Sequence, residues 1–369
     1  MSLKIGIVGL PNVGKSTLFK ALTNKNILIK NYPFATINPN FGVSFIDDER
    51  LFKIGEIFKS KKIVKNFVNF VDIAGLIKNA SKGEGLGNAF LSNIKMVDAL
   101  IHVVRCFENK DIIHVENKIN PLSDIEIINL ELMIHDLESI KKMKANLNKK
   151  SKNNIASKEI KAQNLILDKF LNCLENEKLL NTLTLNKEEL KIIRNFQLLT
   201  LKPQIILANI NGADNLHSNS KQFQYLNDVK NYCLKTNCQL VVLDLELELL
   251  GSELSKEENQ LMHQEYKLND NLQTLISKSH KILNLATFFT AGEKETRAWT
   301  FLKECSACEC AKIIHSDIQK GFIKVEVYNY NDLIKYKTFL NVKNHGLLSI
   351  EGKNYIIKDG DICYFRFNI

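Results

Sequence analysis

The sequence predicts an α/β protein with a doubly wound parallel sheet, an inserted α-helical hairpin and a small α+β domain at the C-terminal end. A phosphate-loop motif lies between a strand and a helix near the N-terminus. Apolar strands then alternate with helical segments, which is typical of a parallel sheet. The hydrophobic period changes near residue 125 to that of long helices and beyond residue 283 to that of short strands. At 369 residues the chain exceeds what one core usually organises.

The phosphate-loop motif is Gly9-Leu-Pro-Asn-Val-Gly-Lys-Ser-Thr17, which follows the apolar run Ile5–Val8 and precedes the helical run Leu18–Leu22. It matches G-x-x-x-x-G-K-[ST] in the strand, loop and helix context that this motif requires. Gly9 and Gly14 let the backbone N–H groups approach phosphate closely, while the following helix offers its positive end. The motif therefore predicts a nucleoside triphosphate site.

Each position in this loop has an expected role. Lys15 should neutralise the β and γ phosphates, and Ser16 should ligate Mg²⁺. The expected nucleotide contacts from the loop are Asn12, Val13, Gly14, Lys15, Ser16 and Thr17.

Two later segments supply the rest of a magnesium and γ-phosphate site. The segment 31–40 contains two prolines that bar a continuous helix, so we expect an exposed loop in which Thr36 offers a second hydroxyl to Mg²⁺. A buried-type strand ends in Asp72-Ile-Ala-Gly75. Asp72 should reach the metal through water, and the N–H of Gly75 should sense the γ-phosphate. The glycine-rich segment 82–87 suits a mobile switch, although a simple flexible turn explains it nearly as well.

The hairpin is predicted from apolar residues at helical spacing after Ile125, which resume after a lysine-rich break. Eight lysines and one acidic residue, Glu159, lie between Lys141 and Lys161. A solvated helix face is the default interpretation of such a run, and contact with an RNA phosphate backbone is the alternative. The sheet resumes at Pro203–Ala208.

Composition excludes several classes of protein. Hydrophobic residues make up 45% and charged residues 25%, as in ordinary globular proteins, and the net charge is +9. No N-terminal signal sequence and no apolar run of about 18 residues is present, so we expect a cytoplasmic protein without a membrane span. The eight cysteines should be free thiols. Three of them, with one histidine, resemble half of a metal site, but packing or redox sensitivity is the favoured interpretation: Cys305, Cys308, Cys310 and His315.

These motifs together resemble the Obg-like ATPase family within the translation-factor-related GTPase class, and the resemblance spans essentially the whole chain. The matching stretches are GLPNVGKST, NYPFATINPN, FVDIAGLIKNASKGEGLGNAFL, RCFENKDIIHV, FFTAGEKETRAW and EGKNYIIKDGDICYFRF. The resemblance implies a P-loop nucleotide-binding domain of the OBG type at 1–125 and 200–282. It also implies the hairpin at 126–199 and a ubiquitin-like β-grasp (TGS) domain at 283–369. The implied function is an ATP hydrolase that associates with ribosomes.

The base pocket departs from both known patterns. Guanine-specific sites use N-K-x-D, whose carboxylate accepts from two donors that adenine lacks, whereas this chain has Asn209-Ile-Asn-Gly212 after the strand at 203–208. The family pattern puts Glu at position 212 and small residues where this chain has Asp244–Glu248. We expect ATP over GTP, with Asn209 at the adenine edge and Ile210 packed on the ring. A second N-K-x-[DE] match, Asn186–Glu189, lies in the hairpin and is discounted.

Hydrolysis should be slow without a stimulus. Many GTPases orient the attacking water with Gln after D-x-x-G, but this chain has Leu76 there. The family resemblance points instead to His114 as the catalytic group, while the alternative is a histidine that packs in a loop.

The leading hypothesis is a monomeric, Mg²⁺-dependent ATPase switch that binds ribosomes, with the hairpin lysines on rRNA phosphate. A GTPase of ribosome assembly and an ATP-binding scaffold with little hydrolysis are the alternatives. Arg297 and Trp299 could stack on RNA bases, but a lone Trp is more often part of a domain core.

Overall fold

The computed structural model describes residues 3–24, 41–73, 85–109, 111–112, 118–153, 158–193, 195–212, 220–266 and 270–368. The chain forms two compact units. The first comprises Met1–Val43 and Asn69–Leu275, and the second comprises Ser44–Val68 and Ile276–Ile369. The three-domain division expected from the sequence stays a prediction. Four residues with predicted roles lie outside the described residues: Thr36, Gly75, Leu76 and His114.

The strands are, in chain order, β1 (Lys4–Val8), β2 (Phe41–Phe45), β3 (Ile63–Val64), β4 (Phe67–Asp72), β5 (Ala99–Arg105), β6 (Gln204–Asn209), β7 (Gln239–Leu243), β8 (Leu285–Thr290), β9 (Thr296–Leu302), β10 (Phe322–Asn329), β11 (Ser349–Glu351) and β12 (Asp361–Phe367).

The α-helices are α1 (Lys15–Asn24), α2 (Glu49–Ile57), α3 (Gly85–Lys95), α4 (Pro121–Asn153), α5 (Lys158–Glu175), α6 (Lys187–Ile193), α7 (Lys221–Thr236), α8 (Leu245–Gly251), α9 (Lys256–Glu265), α10 (Leu272–Ile282), α11 (Ala307–Ile314), α12 (Ser316–Lys320), α13 (Tyr330–Tyr336) and α14 (Phe339–Asn344). No helix in the described ranges is long and apolar enough to cross a bilayer.

The first sheet has the strand order β2-β4-β1-β5-β6-β7. Strands β4, β1, β5, β6 and β7 pair in parallel. Every residue of β5 and β6 is buried, as expected for parallel strands with both faces covered. Because β1 lies between β4 and β5, its carboxyl end is at the crevice where such sheets bind ligands. The predicted α/β class and doubly wound sheet are confirmed.

The inserted hairpin is also confirmed. Helices α4 and α5 pack around a core that includes Ile140, Leu167 and Phe170, all fully buried. Lys144 and Asp168 form an ion pair between the two helices. The buried carboxylate of Asp136 accepts hydrogen bonds from the backbone N–H groups at 199 and 200, which ties the returning chain to α4.

The discounted match at 186–189 is a helix cap. The side chain of Asn186 accepts from the N–H groups of Glu188 and Glu189, and the Glu189 carboxylate accepts from the N–H of Asn186. These residues therefore begin α6, as a capping box does, and have no part in base recognition.

The second unit contains a mixed sheet in the order β11-β10-β12-β8-β9-β3. Helix α11 packs with one core cluster around Phe288, while α2, α13 and α14 pack with another around Phe289. Adjacent residues of one strand thus face opposite sides of the sheet. The chain between β2 and β4 contributes α2 and β3 to this unit. The β-grasp label stays a prediction.

Of the other residues that the sequence singled out, Cys310 is buried in the second unit's core, Trp299 and Cys305 pack against that core, and His315 is exposed. The Trp299 indole donates to Thr290 Oγ1 at 2.9 Å and stacks on Phe288, and the Arg297 guanidinium lies 4.1 Å from the Trp299 ring centroid. Burial raises the pKa of the Cys310 thiol. His315 caps α12 by accepting from the N–H of Asp317. Within the described ranges, no group of three or more His, Cys, Asp or Glu residues could hold a metal.

Candidate functional site

The loop after β1 wraps closely and has no room for side chains at its two glycines. Gly9 and Gly14 have φ values of +155° and +109°, and Asn12 has a φ of 62°. A β-carbon on Gly9 would lie 2.5 Å from the carbonyl oxygen of Val103, and one on Gly14 would lie 2.6 Å from Asn209 Nδ2. Glycine is therefore required at both positions, and α1 begins directly behind the loop at Lys15.

Lys15 is held inside this loop. Its side chain is 8% exposed, and Nζ donates to the carbonyl oxygen of Leu10 at 2.6 Å. Burial lowers the pKa of the Lys15 ammonium to about 8, although the Asp72 carboxylate opposes that shift. At present this buried cation donates to a neutral carbonyl. A hydrogen bond to a negatively charged polyphosphate would be stronger and would stabilise the ammonium form.

Asp72 and Ser16 place oxygen atoms that could ligate a metal ion near Lys15. Asp72 ends β4 and lies beside Ile7 of β1 in the parallel register, so it is at the same edge of the sheet as the loop. Burial raises the pKa of its carboxyl group, while Lys15 lowers it. Ser16 is exposed in the first turn of α1. A carboxylate and a hydroxyl at one edge of the sheet fit a divalent cation such as Mg²⁺, which prefers oxygen ligands.

A cavity of about 300 Å³ opens beside the loop. The loop residues that line it are Asn12, Gly14, Lys15, Ser16 and Thr17. The opposite walls come from the last residue of β6 and from the segments after β5, β6 and β7: Phe107, Asn109, Ile112, Asn209, Ile210, Asn211, Asp244, Leu245 and Glu246. Val13, the remaining predicted loop residue, is 1% exposed, and its carbonyl oxygen accepts a hydrogen bond from Asn209. The cavity size and mixed walls suit a small polar ligand.

Asn209 joins the phosphate loop to the wall after β7. Its Nδ2 donates to the carbonyl oxygen of Val13 at 3.0 Å, and its Oδ1 accepts from the N–H of Leu245 at 3.2 Å. The predicted contact of Asn209 with the adenine edge stays a prediction, since the structure gives the amide these two other partners. Its observed effect is to fix two walls of the cavity to each other.

Ile210 is almost fully buried, which is more than packing on a base would require. It is 2% exposed and packs in a core cluster with Val104, Ala208 and Val229, although it also lines the cavity. Its predicted packing on the base stays a prediction.

Arg105 organises the wall after β5 and was missed by sequence reasoning. It is 1% exposed, and its guanidinium donates to the carbonyl oxygens of Phe107, Asn109 and Ile112 at 3.0 to 3.1 Å. The guanidinium also lies 4.8 Å from the Phe107 ring centroid. Burial lowers the pKa of Arg105, and Asp124 raises it. The signal in the sequence was an arginine at the end of an otherwise apolar strand, where a charge requires partners.

His102 is a second residue that the motifs did not indicate. It is 1% exposed in the middle of β5, and its Nε2 has no hydrogen-bond partner among the described residues. Burial lowers the pKa of its imidazole to about 3, and the Lys15 charge lowers it further. The imidazole is therefore neutral, so it does not repel the ammonium of Lys15 electrostatically.

Two protein-family models match this chain, one in its N-terminal part and one in its C-terminal part. A model described as a 50S ribosome-binding GTPase matches residues 4–154. A second model, named YchF-GTPase_C and described as a protein of unknown function, matches residues 285–368.

The similar proteins match this chain along its whole length. The protein named ribosome-binding ATPase YchF of Pasteurella multocida is 45% identical over 370 residues, covering 100% of both chains. The protein of the same name from Mycoplasma genitalium is 46% identical over 372 residues, again covering 100% of both. The solved structure of the Schizosaccharomyces pombe YchF GTPase superposes with a TM-score of 0.88 at 36% identity, covering 99% of this chain and 98% of that one.

Proposed function

This chain belongs to the YchF family of Obg-like ATPases, and from that premise we propose that it hydrolyses ATP and binds the ribosome as a nucleotide-dependent switch. The observation that carries the proposal is the loop after β1, in which Lys15 is buried against a cavity at the edge of the sheet. A nucleotide hydrolase needs this phosphate cradle, and such loops provide it with backbone N–H groups and one lysine.

ATP is the proposed nucleotide. A guanine clamp requires an acidic side chain at the fourth position of the N-K-x-D sequence, and in this chain that position is Gly212, which has none. The names of the relatives support ATP hydrolysis, although the solved homologue is named a GTPase.

Mg²⁺ is the proposed metal, with Ser16 and Thr36 as direct ligands and Asp72 through water. The bound ion would neutralise phosphate charge. Ser16 presents its hydroxyl from the first turn of α1, and Asp72 presents its carboxylate beside Lys15. These two side chains would hold the ion at the phosphate end of the cavity.

We propose slow intrinsic hydrolysis, with Leu76 in place of a water-orienting glutamine and His114 as the catalytic group. The N–H of Gly75 would sense the γ-phosphate. An unchanged ribosome-stimulated rate in His114→Ala would exclude this role for His114.

The proposed partner is ribosomal RNA, which the hairpin lysines would contact, and the proposed state and location are a cytoplasmic monomer. Lys141, Lys142 and Lys149 are exposed on α4, so their charges are available to phosphate. The second unit would supply a further contact. Two linked contacts to one large RNA assembly bind more tightly than either contact alone.

Nucleotide-specific phosphate release with and without ribosomes tests the proposal. ATP turnover that ribosomes stimulate, and that Lys15→Ala abolishes, is the expected result. Faster turnover of GTP than of ATP would support the alternative of a GTPase. Tight ATP binding without stimulated turnover would instead support a scaffold, which the residue Leu76 favours.

A further inference from the structure

Asp244 connects two walls of the cavity through its carboxylate. It is the N-cap of α8, and its Oδ1 accepts from the N–H groups of Glu246 and Leu247 at 3.0 Å each. Its Oδ2 accepts from the N–H of Gly212 at 2.5 Å. The segment after β7 thereby holds the segment after β6.

Asn209 makes the reciprocal connection. It lies at the end of β6, and its side chain accepts from the N–H of Leu245, the first residue of α8. The two segments therefore exchange hydrogen bonds in both directions, and Asn209 extends the connection to the phosphate loop through Val13. Asp244, only 5% exposed, is held in a fixed position on the cavity wall.

The carboxylate occupies the space next to position 212. A β-carbon on Gly212 would lie 3.2 Å from Asp244 Oδ2 and 3.0 Å from Leu247 Cδ1. Position 212 is the place where a guanine-binding N-K-x-D sequence carries its acid. In this chain the acid enters the same region from the opposite wall.

The remaining capacity of the carboxylate distinguishes the two purines. An ionised carboxylate offers about four acceptor sites, and three backbone N–H groups already use three of them. Among the residues that the structure describes, this leaves one site on Oδ2. Guanine presents two adjacent donors and requires both oxygens of a clamp, whereas adenine presents a single amino group. One free acceptor matches adenine.

We propose that Asp244 sets the base preference of this protein by accepting a hydrogen bond from the 6-amino group of adenine. The inference rests on the proposed ATP function and deepens it, because it assigns base recognition to a residue outside the N-K-x-D position. Asn209 then acts as a positioning residue that keeps the Asp244 wall in register with the phosphate loop.

The test compares ATP with purine riboside triphosphate, which lacks the 6-amino group, as ligands for the full-length protein and for Asp244→Ser. Serine still caps α8 but is too short to reach the Gly212 N–H or the base. Ser220→Ala is the matched control, because Ser220 caps α7 by accepting from the N–H of Phe223 and does not line the cavity.

The wild-type protein and Ser220→Ala should bind ATP about tenfold more tightly than the analogue, as expected for a hydrogen bond to a charged acceptor. Asp244→Ser should bind both ligands with the same Kd. A wild-type protein that binds the two ligands equally would overturn the inference, even if the variant did not fold. So would an unchanged preference in Asp244→Ser. Failure of the wild-type protein to bind either ligand would overturn the proposed ATP function as well.

Discussion

At the scale of single residues, Lys15 couples nucleotide binding to pH. Burial lowers its pKa to about 8 in the free protein, and a bound triphosphate would raise it again. The protonated form is complete below that pKa and is lost as the pH rises through it. We therefore expect the Kd for ATP to stay nearly constant up to about pH 8 and to be about tenfold higher, meaning weaker binding, at about pH 9. Fluorescence titration with an ATP analogue across this range measures the effect.

Lys15→Arg provides the control for this prediction, because a guanidinium keeps its charge throughout the range. Its Kd, even if weaker overall, should not change between about pH 7 and about pH 9. An equally flat profile for the wild-type protein would show that Lys15 does not titrate there.

Sequence reasoning at this scale succeeded where a motif is local and failed where partners are distant. The predicted loop between Gly9 and Thr17 forms because adjacent residues define it. The two hydrogen bonds of Asn209 could not be predicted, since Val13 and Leu245 are remote in the chain. For the same reason, the sequence alone identified Asp244 only as a departure from a small-residue loop.

At the scale of elements, one buried side chain, Arg105, makes three of the hydrogen bonds that hold the wall after β5. Three backbone carbonyls of the segment 107–112 accept from Arg105, and no described residue of that segment is in a helix or strand. Arg105→Lys keeps the charge, but the three N–H groups of an ammonium diverge from one nitrogen and cannot span three carbonyls that Arg105 reaches from Nε, Nη1 and Nη2 separately. We expect the KM for ATP to rise about tenfold and the free energy of unfolding to fall by about 1 to 3 kcal/mol. Steady-state kinetics and urea denaturation measure both quantities.

Arg366→Lys is the comparison for this variant. Arg366 is half-exposed and donates to Glu326 in the second unit, so its replacement should change stability by less than about 0.5 kcal/mol and leave KM unchanged. If Arg105→Lys behaved in the same way, the hydrogen bonds to the three carbonyls would not be what orders the cavity wall.

The hairpin supplies a second prediction at this scale. Lys141 and Lys142 are exposed on α4, whereas Lys144 is paired with Asp168. The slope of log affinity against log salt concentration is negative. Each lysine that no longer neutralises a phosphate should make this slope shallower by about 0.9. Replacing Lys141 and Lys142 with Gln should therefore weaken ribosome binding and make the slope shallower by about 2 in cosedimentation at several salt concentrations.

Two exposed lysines of α7, Lys230 and Lys235, form the matched pair for this experiment. Their replacement with Gln changes the net charge equally and should leave the slope as it was. Equal effects from both pairs would mean that total charge, and not the hairpin, determines binding.

At the scale of the whole molecule, the sequence predicted the parts of the fold but not which segment each part packs with. The alternation of strands and helices indicated the parallel sheet, and the change of period indicated the hairpin. The apolar residues of α2 indicated a buried helix face without revealing its partners. Leu51 and Ile54 are fully buried in a cluster with Phe289, Tyr328 and Leu333, which follow more than half the chain later. Local pattern cannot encode such a contact.

This packing makes a truncation prediction. A chain that ends at residue 275 keeps residues 44–68 but loses the strands and helices that bury α2. Each large apolar side chain exposed in this way costs about 1.5 to 3 kcal/mol. We expect the truncated protein to bind a hydrophobic dye and to aggregate. A second truncation, in which a flexible linker also replaces residues 46–66, removes α2 and β3 but keeps β2 and β4, and it should stay monodisperse and bind ATP. Light scattering and nucleotide titration compare the two.

Aggregation of both truncated proteins would show that the first unit needs the C-terminal segment for reasons beyond α2. If instead the first truncated protein stayed monodisperse, α2 would not depend on the C-terminal segment.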